Sequence, residues 1–141
     1  MRFRPLALCA LILAVSGPAV HAAGEPGVVA TITAMPKHPR NSEGSFATLR
    51  SGRIVYYYSQ FSEGYSDFSP CGIAQMASDD GGRTWGKPRV VFALEPGTME
   101  MSATLLRLAS GRLACFTLIK RDKIDCRPYV RFSDDDGTTW T

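Results

Sequence analysis

Short apolar segments alternate with turn-forming residues along most of the chain, and none of them has the length and periodicity of a buried helix. Two pairs of such segments each flank a Ser-Gly-Arg turn: residues 45–50 with 54–60, and residues 102–108 with 113–119. Each pair predicts a β-hairpin with glycine at the turn. The glycines of the two turns are 59 residues apart, so the pattern predicts a β-unit that occurs twice.

Further segments extend each hairpin into a larger sheet. Residues 71–77 and 128–132 predict third strands, and residues 89–92 predict a fourth strand in the first unit. Residues 54–58 are apolar or aromatic without polar alternation, which suits a sheet that is packed on both faces. Before the first hairpin, residues 28–33 predict another strand, and two prolines predict an irregular segment over residues 34–42.

Each third strand is followed by nearly the same octet. Residues 78–85 and 133–140 both fit Ser-x-Asp-x-Gly-x-Thr-Trp, and they begin 55 residues apart. These residue types suit a pinned turn, because the Asp accepts amide hydrogen bonds, the Gly permits unusual backbone angles and the Trp buries a ring beside the loop. We interpret both octets as structural, since their acidic residues lack the spacing of a calcium loop. The positions concerned are Ser78, Asp80, Gly82, Thr84, Trp85, Ser133, Asp135, Gly137, Thr139 and Trp140.

The octet resembles the Asp box, also called the bacterial neuraminidase repeat, of the sialidase superfamily. The resemblance implies an all-β fold: a partial β-propeller of about two four-stranded antiparallel blades, from a six-bladed sialidase-type propeller. A leader and irregular entry segment would span residues 23–44, the first blade residues 45–98, and the second blade residues 99–141. The second unit stops before a fourth strand, so we expect this chain to be a fragment. A small β-sandwich is the alternative, and the placement of the octets favours the propeller.

The first 22 residues have the features of a secretory signal peptide. Arg2 and Arg4 precede an apolar run that extends to Val20, and small residues follow at the cleavage position. We therefore expect a secreted or periplasmic protein, and no other segment predicts a membrane span. The formal net charge is +3, and two of the arginines lie in the leader, so the charge does not indicate a nucleic-acid partner.

Three cysteines follow the leader, at positions 71, 115 and 126. In an exported protein Cys115 and Cys126 are candidates for a disulfide across one hairpin, and the alternative is that all three are buried thiols. His38 is the single histidine after the leader, and the cysteines lack paired spacing. The sequence therefore predicts no metal site, and it indicates no cofactor.

The resemblance to sialidases also implies site residues. In that family arginines hold the carboxylate of the substrate, an Asp delivers the proton, and a Tyr assisted by a Glu is the nucleophile. Arg40 and Asp67 are 27 residues apart, close to the family spacing, and are the candidate carboxylate-binding arginine and general acid. Glu43 and Met99 are candidates for further substrate contacts. Family members usually read Arg-Ile-Pro where this chain has Arg-Asn-Ser, and Glu43 is a second departure that would neutralise the arginine or signal a different substrate.

Each candidate also has a purely structural interpretation. Arg40 fits a solvated loop cation, Asp67 a turn-capping carboxylate, Glu43 a partner of Arg40, and Met99 an ordinary entry into a strand. The later arginines, the nucleophilic Tyr and its Glu would belong to blades that follow residue 141. The tyrosines at 56–58 lie in an inner strand and do not fit the role of nucleophile.

The sequence thus favours the N-terminal part of an exported sialidase-like glycoside hydrolase that acts on terminal sialic acid or related sugars of glycans. We expect this fragment alone to be inactive, because a pocket at the centre of a propeller needs residues from several blades. Two other functions stay open: a non-catalytic Asp-box propeller that binds glycan or protein, and hydrolysis of a neutral glycan.

Overall fold

The chain forms two antiparallel β-sheets. A computed structural model describes residues 27–93 and 98–141, so the predicted signal peptide lies outside the described residues. The first sheet has the order β1-β2-β3-β4 and the second the order β5-β6-β7. The strands are β1 Arg40–Thr48, β2 Ile54–Phe61, β3 Cys71–Ser78, β4 Arg89–Phe92, β5 Met99–Arg107, β6 Leu113–Lys120 and β7 Cys126–Ser133. The predicted fold class is confirmed: the described part of the chain is all-β, and its two unclosed sheets correspond to blades of a partial propeller.

The two sheets repeat the same register. Tyr56 pairs with Met76 in the first sheet, and Cys115 pairs with Arg131 at the equivalent position of the second. A β-bulge also recurs at the same place, between Ser42 and Gly44 in β1 and between Met101 and Thr104 in β5. Repetition of both register and bulge shows that the second sheet is built on the same backbone plan as the first.

Each octet forms a hydrogen-bonded loop directly after a third strand. In the first octet, the Thr84 amide and hydroxyl donate to the two carboxylate oxygens of Asp80 at 2.9 and 2.6 Å. The Gly82 amide donates to the hydroxyl of Ser78 at 2.9 Å, and the indole of Trp85 donates to the Gly82 carbonyl at 3.0 Å. These bonds close the loop and fix the tryptophan ring against it.

The second octet repeats the bonds to its serine and aspartate, whereas the indole of Trp140 has no hydrogen-bond partner among the described residues. The Thr139 amide and hydroxyl donate to Asp135 at 2.8 and 2.7 Å, and the Gly137 amide donates to Ser133 at 2.7 Å. The bonds to the charged form lower the pKa of both aspartates, that of Asp135 to about 2. Both carboxylates are therefore committed to their own loops.

The core lies between the two sheets. Strand β5 packs across the first sheet, where Val55, Tyr57 and Ile73 meet Leu105 and Leu113. Two hydroxyls of the first sheet also accept hydrogen bonds from the backbone of β5: Ser59 from Ser102 at 2.9 Å and Ser45 from Leu105 at 3.1 Å. This core covers the face of β2 that carries Val55 and Tyr57, while Tyr56 between them lies on the opposite face of the sheet.

The structure corrects two predicted strand positions. Residues 28–33 form no strand, and Val28 and Val29 are exposed. Strand β1 begins at Arg40, inside the segment that the prolines predicted to be irregular. The chain reverses in a turn closed by paired bonds between Met35 and His38, so the irregular region ends at Pro39. A proline blocks pairing only at its own amide, and β1 begins immediately after it.

The candidate disulfide between Cys115 and Cys126, one of the two alternatives left open by the sequence, does not form. Cys115 pairs with Arg131 and Cys126 with Lys120, so the two cysteines lie at different positions along the β6-β7 hairpin. All three described cysteines are free, and the alternative of three buried thiols is also only partly right, because Cys126 is exposed. Burial raises the pKa of the Cys71 and Cys115 thiols to about 12, which makes both unreactive at neutral pH.

Candidate functional site

The candidate site lies at the end of the sheets where β1 and β5 begin and where β2 and β6 end. The pairs Arg40–Phe61 and Met99–Lys120 mark this end, which we call the entry edge. The loop of residues 62–70, between β2 and β3, projects from the same end. The antiparallel register therefore brings candidates from β1, β5 and this loop to one edge of the molecule.

Arg40 is held by three kinds of contact. Its guanidinium lies over the ring of Phe61, with the Cζ atom 4.3 Å from the ring centroid. Its Nη1 atom donates to the Tyr65 carbonyl at 2.9 Å and to Asp67 Oδ1 at 2.6 Å. Its Nη2 atom lies 4.0 Å from Glu43 Oε1. The side chain is 26% exposed, so the cation is oriented but still reachable from solvent.

Asp67 lies in a loop that is ordered by its own hydrogen bonds. The Phe68 amide donates to the Ser66 hydroxyl at 3.1 Å, and the Ser69 amide donates to the Ser66 carbonyl at 2.9 Å. The Asp67 side chain is 62% exposed, and its partner is the guanidinium of Arg40. The loop also touches the second sheet, because the Nζ atom of Lys120 lies 4.1 Å from the centroid of the Phe68 ring.

Glu43 is placed by the β-bulge. The bulge inserts an extra residue into β1, which frees Glu43 from regular pairing and leaves its side chain 57% exposed. The hydroxyl of Ser42 donates to Glu43 Oε2 at 2.5 Å. Glu43 thus adds a second carboxylate beside Arg40.

Met99 is buried, and its neighbour Glu100 forms an ion pair. Met99 packs with Phe61, Cys71 and Met101 in an apolar cluster beneath the entry edge. The carboxylate of Glu100 pairs with Arg131, and it accepts a hydrogen bond from the Thr117 hydroxyl at 2.6 Å. The Glu100 side chain is only 5% exposed. Met99 therefore supports the edge from below and presents little surface to a ligand.

The structure brings together two residues that the sequence analysis assigned to the site, and adds two that it missed. Arg40 and Asp67 form a direct contact, with Glu43 beside them. Phe61 beneath Arg40 and Arg131 beside Glu100 were not predicted. Arg131 had a signal in the sequence, because the repeat places it where the first unit has Met76, and an arginine at a core-facing position requires a buried partner.

Several other features of the described residues bear on the chemistry. Burial raises the pKa of Tyr57 and Tyr58 to about 12, so neither is a ready nucleophile at neutral pH. Within residues 27–93 and 98–141, no group of three His, Cys, Asp or Glu side chains is arranged to hold a metal ion. The same ranges contain no helix with the length and apolar character of a membrane span.

Comparison with known proteins supports the fold and leaves the activity open. No family model matches the chain, and no curated protein matches it. Among solved structures, it is similar to the Hadza microbial sialidase Hz136, with a TM-score of 0.61 and 15% identity over 74% of this chain and 25% of that one. It is also similar to a protein of unknown function from Dyadobacter fermentans, with a TM-score of 0.55 and 16% identity over 72% of this chain and 35% of that one.

These similarities define the class of the fold. At such low identity they show a sialidase-like fold alone, because fold does not fix chemistry. The chain spans about a quarter of the sialidase and about a third of the second protein. Any proposal about function therefore depends on the geometry of the entry edge.

Proposed function

We propose that the chain is the N-terminal part of an exported sialidase-like glycoside hydrolase, and that the entry edge contributes to its substrate pocket. The observation that carries the proposal is the contact between Arg40 and Asp67, which are 27 residues apart in sequence and meet at 2.6 Å. The similarity of the fold to a microbial sialidase supports it. The substrate would be terminal sialic acid, or a related acidic sugar, on a glycan.

Arg40 is suited to hold a carboxylate. Ring stacking on Phe61 and the bond to the Tyr65 carbonyl fix the plane of the guanidinium, so it does not have to be ordered when a ligand arrives. Asp67 makes with Arg40 the same kind of contact that the carboxylate of a sialic acid would make. In our proposal the sugar carboxylate displaces the Asp67 carboxylate from Arg40. The released Asp67 then takes up a proton from water and donates it to the leaving-group oxygen as the glycosidic bond breaks.

Glu43 and Met99 have supporting roles in this proposal. The exposed carboxylate of Glu43 lies where it would accept hydrogen bonds from sugar hydroxyls beside Arg40. Met99 fills the space beneath Phe61 and so stabilises the ring on which Arg40 rests. The octets lie at the far ends of the third strands, away from the entry edge, and in the proposal they are structural Asp boxes.

A non-catalytic, glycan- or protein-binding propeller is the second candidate. Two observations favour it: the Arg40 guanidinium already has Asp67 and Glu43 near it, and Asp67 is 62% exposed, whereas catalytic acids are commonly held in apolar surroundings. This candidate uses the same edge for recognition and needs no proton transfer.

The test uses the complete protein and a fluorogenic sialoside. We expect Arg40→Ala to raise KM at least about tenfold, and Asp67→Ala to lower kcat about a hundredfold or more. The matched control is Arg53→Ala, because Arg53 forms an exposed pair with Asp79 at 2.6 Å beside the β1-β2 turn, at the other end of the first sheet. Unchanged turnover in both entry-edge variants would refute these assignments.

The same variants separate the two candidates. If the complete protein binds a sialoside but does not cleave it, and Arg40→Ala abolishes binding, the binding propeller is favoured. If it cleaves the sialoside and loses kcat in Asp67→Ala, the enzyme is favoured. We expect this chain alone to show no cleavage, and cleavage by it would contradict a pocket that needs further blades.

A further inference from the structure

The loop that carries Asp67 contacts both sheets. From the first sheet, the Nη1 atom of Arg40 donates to the Tyr65 carbonyl at 2.9 Å and to Asp67 Oδ1 at 2.6 Å. From the second sheet, Lys120 lies over Phe68, the residue after Asp67, with its Nζ atom 4.1 Å from the ring centroid. The loop is therefore attached to the first sheet by an arginine and to the second sheet by a lysine.

The backbone of Lys120 is fixed by regular strand pairing. Lys120 is the last residue of β6, and it pairs with Met99 on one side and with Cys126 on the other. These two ladders hold its backbone at the entry edge, while its flexible four-carbon stem reaches the loop of the neighbouring sheet. Phe68 is 48% exposed, so the contact lies at the surface. It connects a loop outside the sheets to a residue whose backbone belongs to one.

A bound substrate would affect the two attachments differently. In the proposed reaction the sugar carboxylate binds the Arg40 guanidinium, whose Nη1 atom makes both hydrogen bonds with the loop. The sugar therefore competes with the loop for the same donor, and the attachment to the first sheet weakens at the step that needs Asp67. The ammonium of Lys120 takes no part in those bonds, so the attachment to the second sheet remains.

We propose that Lys120 is a positioning residue for Asp67. It holds Phe68 at the entry edge, and so it keeps the loop close to the substrate while the sugar carboxylate occupies Arg40. This inference rests on the sialidase-like function proposed above, and it adds a residue of the second sheet to the site. Lys120 acts on Asp67 through the loop rather than by contact with the reacting atoms.

The internal bonds of the loop transmit this restraint. The Phe68 amide donates to the Ser66 hydroxyl at 3.1 Å, and the Ser69 amide donates to the Ser66 carbonyl at 2.9 Å. These bonds bracket Asp67, so a contact at Phe68 restrains its neighbour as well. An exposed contact between a lysine and a ring is weak, and its loss should shift the opening equilibrium of the loop by about twofold to fivefold and leave the sheets folded.

Hydrogen exchange of the complete protein tests the contact itself. Lys120→Met removes the charge at similar side-chain length, and it leaves no carboxylate of the described residues without its partner. Mass spectrometry of the peptide that covers residues 62–70 measures how often the loop opens. We expect Lys120→Met to accelerate exchange in this peptide about twofold to fivefold, and Lys120→Arg, which keeps a cation over the ring, to restore the wild-type rate.

Kinetics with a fluorogenic sialoside test the role in the reaction. We expect Lys120→Met to lower kcat about twofold to fivefold and to change KM less than about twofold, because Arg40 still binds the carboxylate. Lys120→Arg should restore kcat. Phe68→Leu removes the ring from the other side of the contact and should cause the same loss. The double variant should lose no more than either single variant, since each removes the same interaction.

Lys123→Met is the matched control. Lys123 is exposed in the β6-β7 loop, three residues after Lys120, so its replacement removes the same charge from the same region. We expect this variant to keep the exchange rate and the turnover of the wild type. An equal loss in Lys123→Met would overturn the proposal, because the total charge of the edge would then explain both effects. Circular dichroism of each variant checks folding.

The two measurements also separate failure of this inference from failure of the proposed function. Unchanged exchange over residues 62–70 in Lys120→Met would overturn the inference, even in a protein that cleaves the sialoside. Faster exchange with unchanged kcat would overturn it as well, because the position of the loop would not limit the action of Asp67. A wild type that cleaves no sialoside would refute the proposed function and the positioning role with it. Faster exchange in Lys120→Met would then show that the contact holds the loop and that the error lies in the function.

Discussion

The two sheets share a backbone plan and differ in what they carry at the entry edge. The positions of Arg40 and Glu43 in the first sheet are those of Met99 and Ser102 in the second. The first sheet presents charged side chains to solvent there, and the second buries a methionine and an ion pair. This difference shows that the repeat determines the backbone that the two sheets share, whereas the chemistry depends on the individual residues of each sheet.

The two octets likewise form similar loops that differ in what surrounds them. Trp140 packs across the core, where its ring lies 6.1 Å from that of Tyr57 and 5.6 Å from that of Phe92. Trp85 meets Phe46 of its own sheet on the face opposite the core. Within residues 27–93 and 98–141, the second octet therefore takes part in the contact between the sheets, and the first octet does not.

The largest expected effect is a change in the free energy of unfolding. It concerns the ion pair between Glu100 and Arg131 in the second sheet, whose counterpart positions in the first sheet are uncharged. Arg131→Met should destabilise the fold by about 3–5 kcal/mol, because it leaves the Glu100 carboxylate buried without its cation. Chemical denaturation followed by tryptophan fluorescence measures the change in free energy of unfolding.

A double variant tests whether the unpaired buried charge causes the loss of stability in Arg131→Met. The first sheet has Asn41 and Met76 at the positions of Glu100 and Arg131, so Glu100→Asn with Arg131→Met gives the second sheet the residues of the first. We expect the double variant to be more stable than Arg131→Met alone, because no buried charge remains. Equal loss in the single and double variants would show that the arginine acts through packing on Phe92 rather than through charge.

The next effect compares the two tryptophans. Trp140→Ala should cost about 3 kcal/mol, since it opens a cavity between Tyr57 and Phe92 in the core. Trp85→Ala removes the same side chain from the face of the first sheet opposite the core and should cost about 1 kcal/mol. Thermal unfolding of both variants at one low protein concentration gives the difference, and equal losses would contradict the assignment of Trp140 to the intersheet contact.

Substitution of the octet glycines tests the same difference between the two octets, with a smaller expected loss of stability. Gly137 and Gly82 have φ angles of +84° and +89°, so alanine should cost about 1 kcal/mol at either position. A Cβ at Gly137 would lie 3.1 Å from the Tyr57 hydroxyl, whereas the nearest atom to a Cβ at Gly82 is 3.9 Å away. We therefore expect Gly137→Ala to lose more stability, and Tyr57→Phe in the same chain to remove the excess. If Tyr57→Phe leaves that excess unchanged, the hydroxyl is not its cause.

Much of the fold was predictable because its signals are local. Glycine turns and the octets fix where strands end, and the repeat of both turns and octets identifies the second sheet as a copy of the first. Strand β1 was placed too late and a strand at 28–33 was predicted where none exists, because residue preferences do not show whether a partner strand is available.

The candidate site was only partly predictable. Arg40 and Asp67 were assigned through the resemblance to sialidases, and the structure brings them into contact. The pairing of Arg131 with Glu100 was missed, because charges in two different strands become partners only when register and buried face are known. The choice between a disulfide and free thiols stayed open in the sequence for the same reason, since it depends on the positions of two cysteines along a hairpin.

The smallest expected effect is the dependence of stability on pH that the octets produce. The pKa of Asp80 and that of Asp135 lie below their ordinary value of 3.8 in the folded chain. A carboxyl group with a lowered pKa contributes stability above its unfolded pKa, and the contribution is lost as pH falls through its folded pKa. For Asp135 this loss falls between about pH 4 and the folded value of about 2.

Removal of the threonine hydroxyl should reduce this acid-induced loss of stability by different amounts in the two octets. The side-chain bond from Thr84 is the main cause of the lowered pKa of Asp80, whereas the backbone bond from Thr139 is the main cause for Asp135. Thr84→Val should therefore flatten the decline in melting temperature below pH 4 more than Thr139→Val, because valine keeps the backbone amide and removes only the hydroxyl. Melting curves recorded from neutral pH to about pH 2 would measure both slopes. An equal flattening would mean that the hydroxyl bonds contribute alike and that the octets are electrostatically equivalent as well as geometrically repeated.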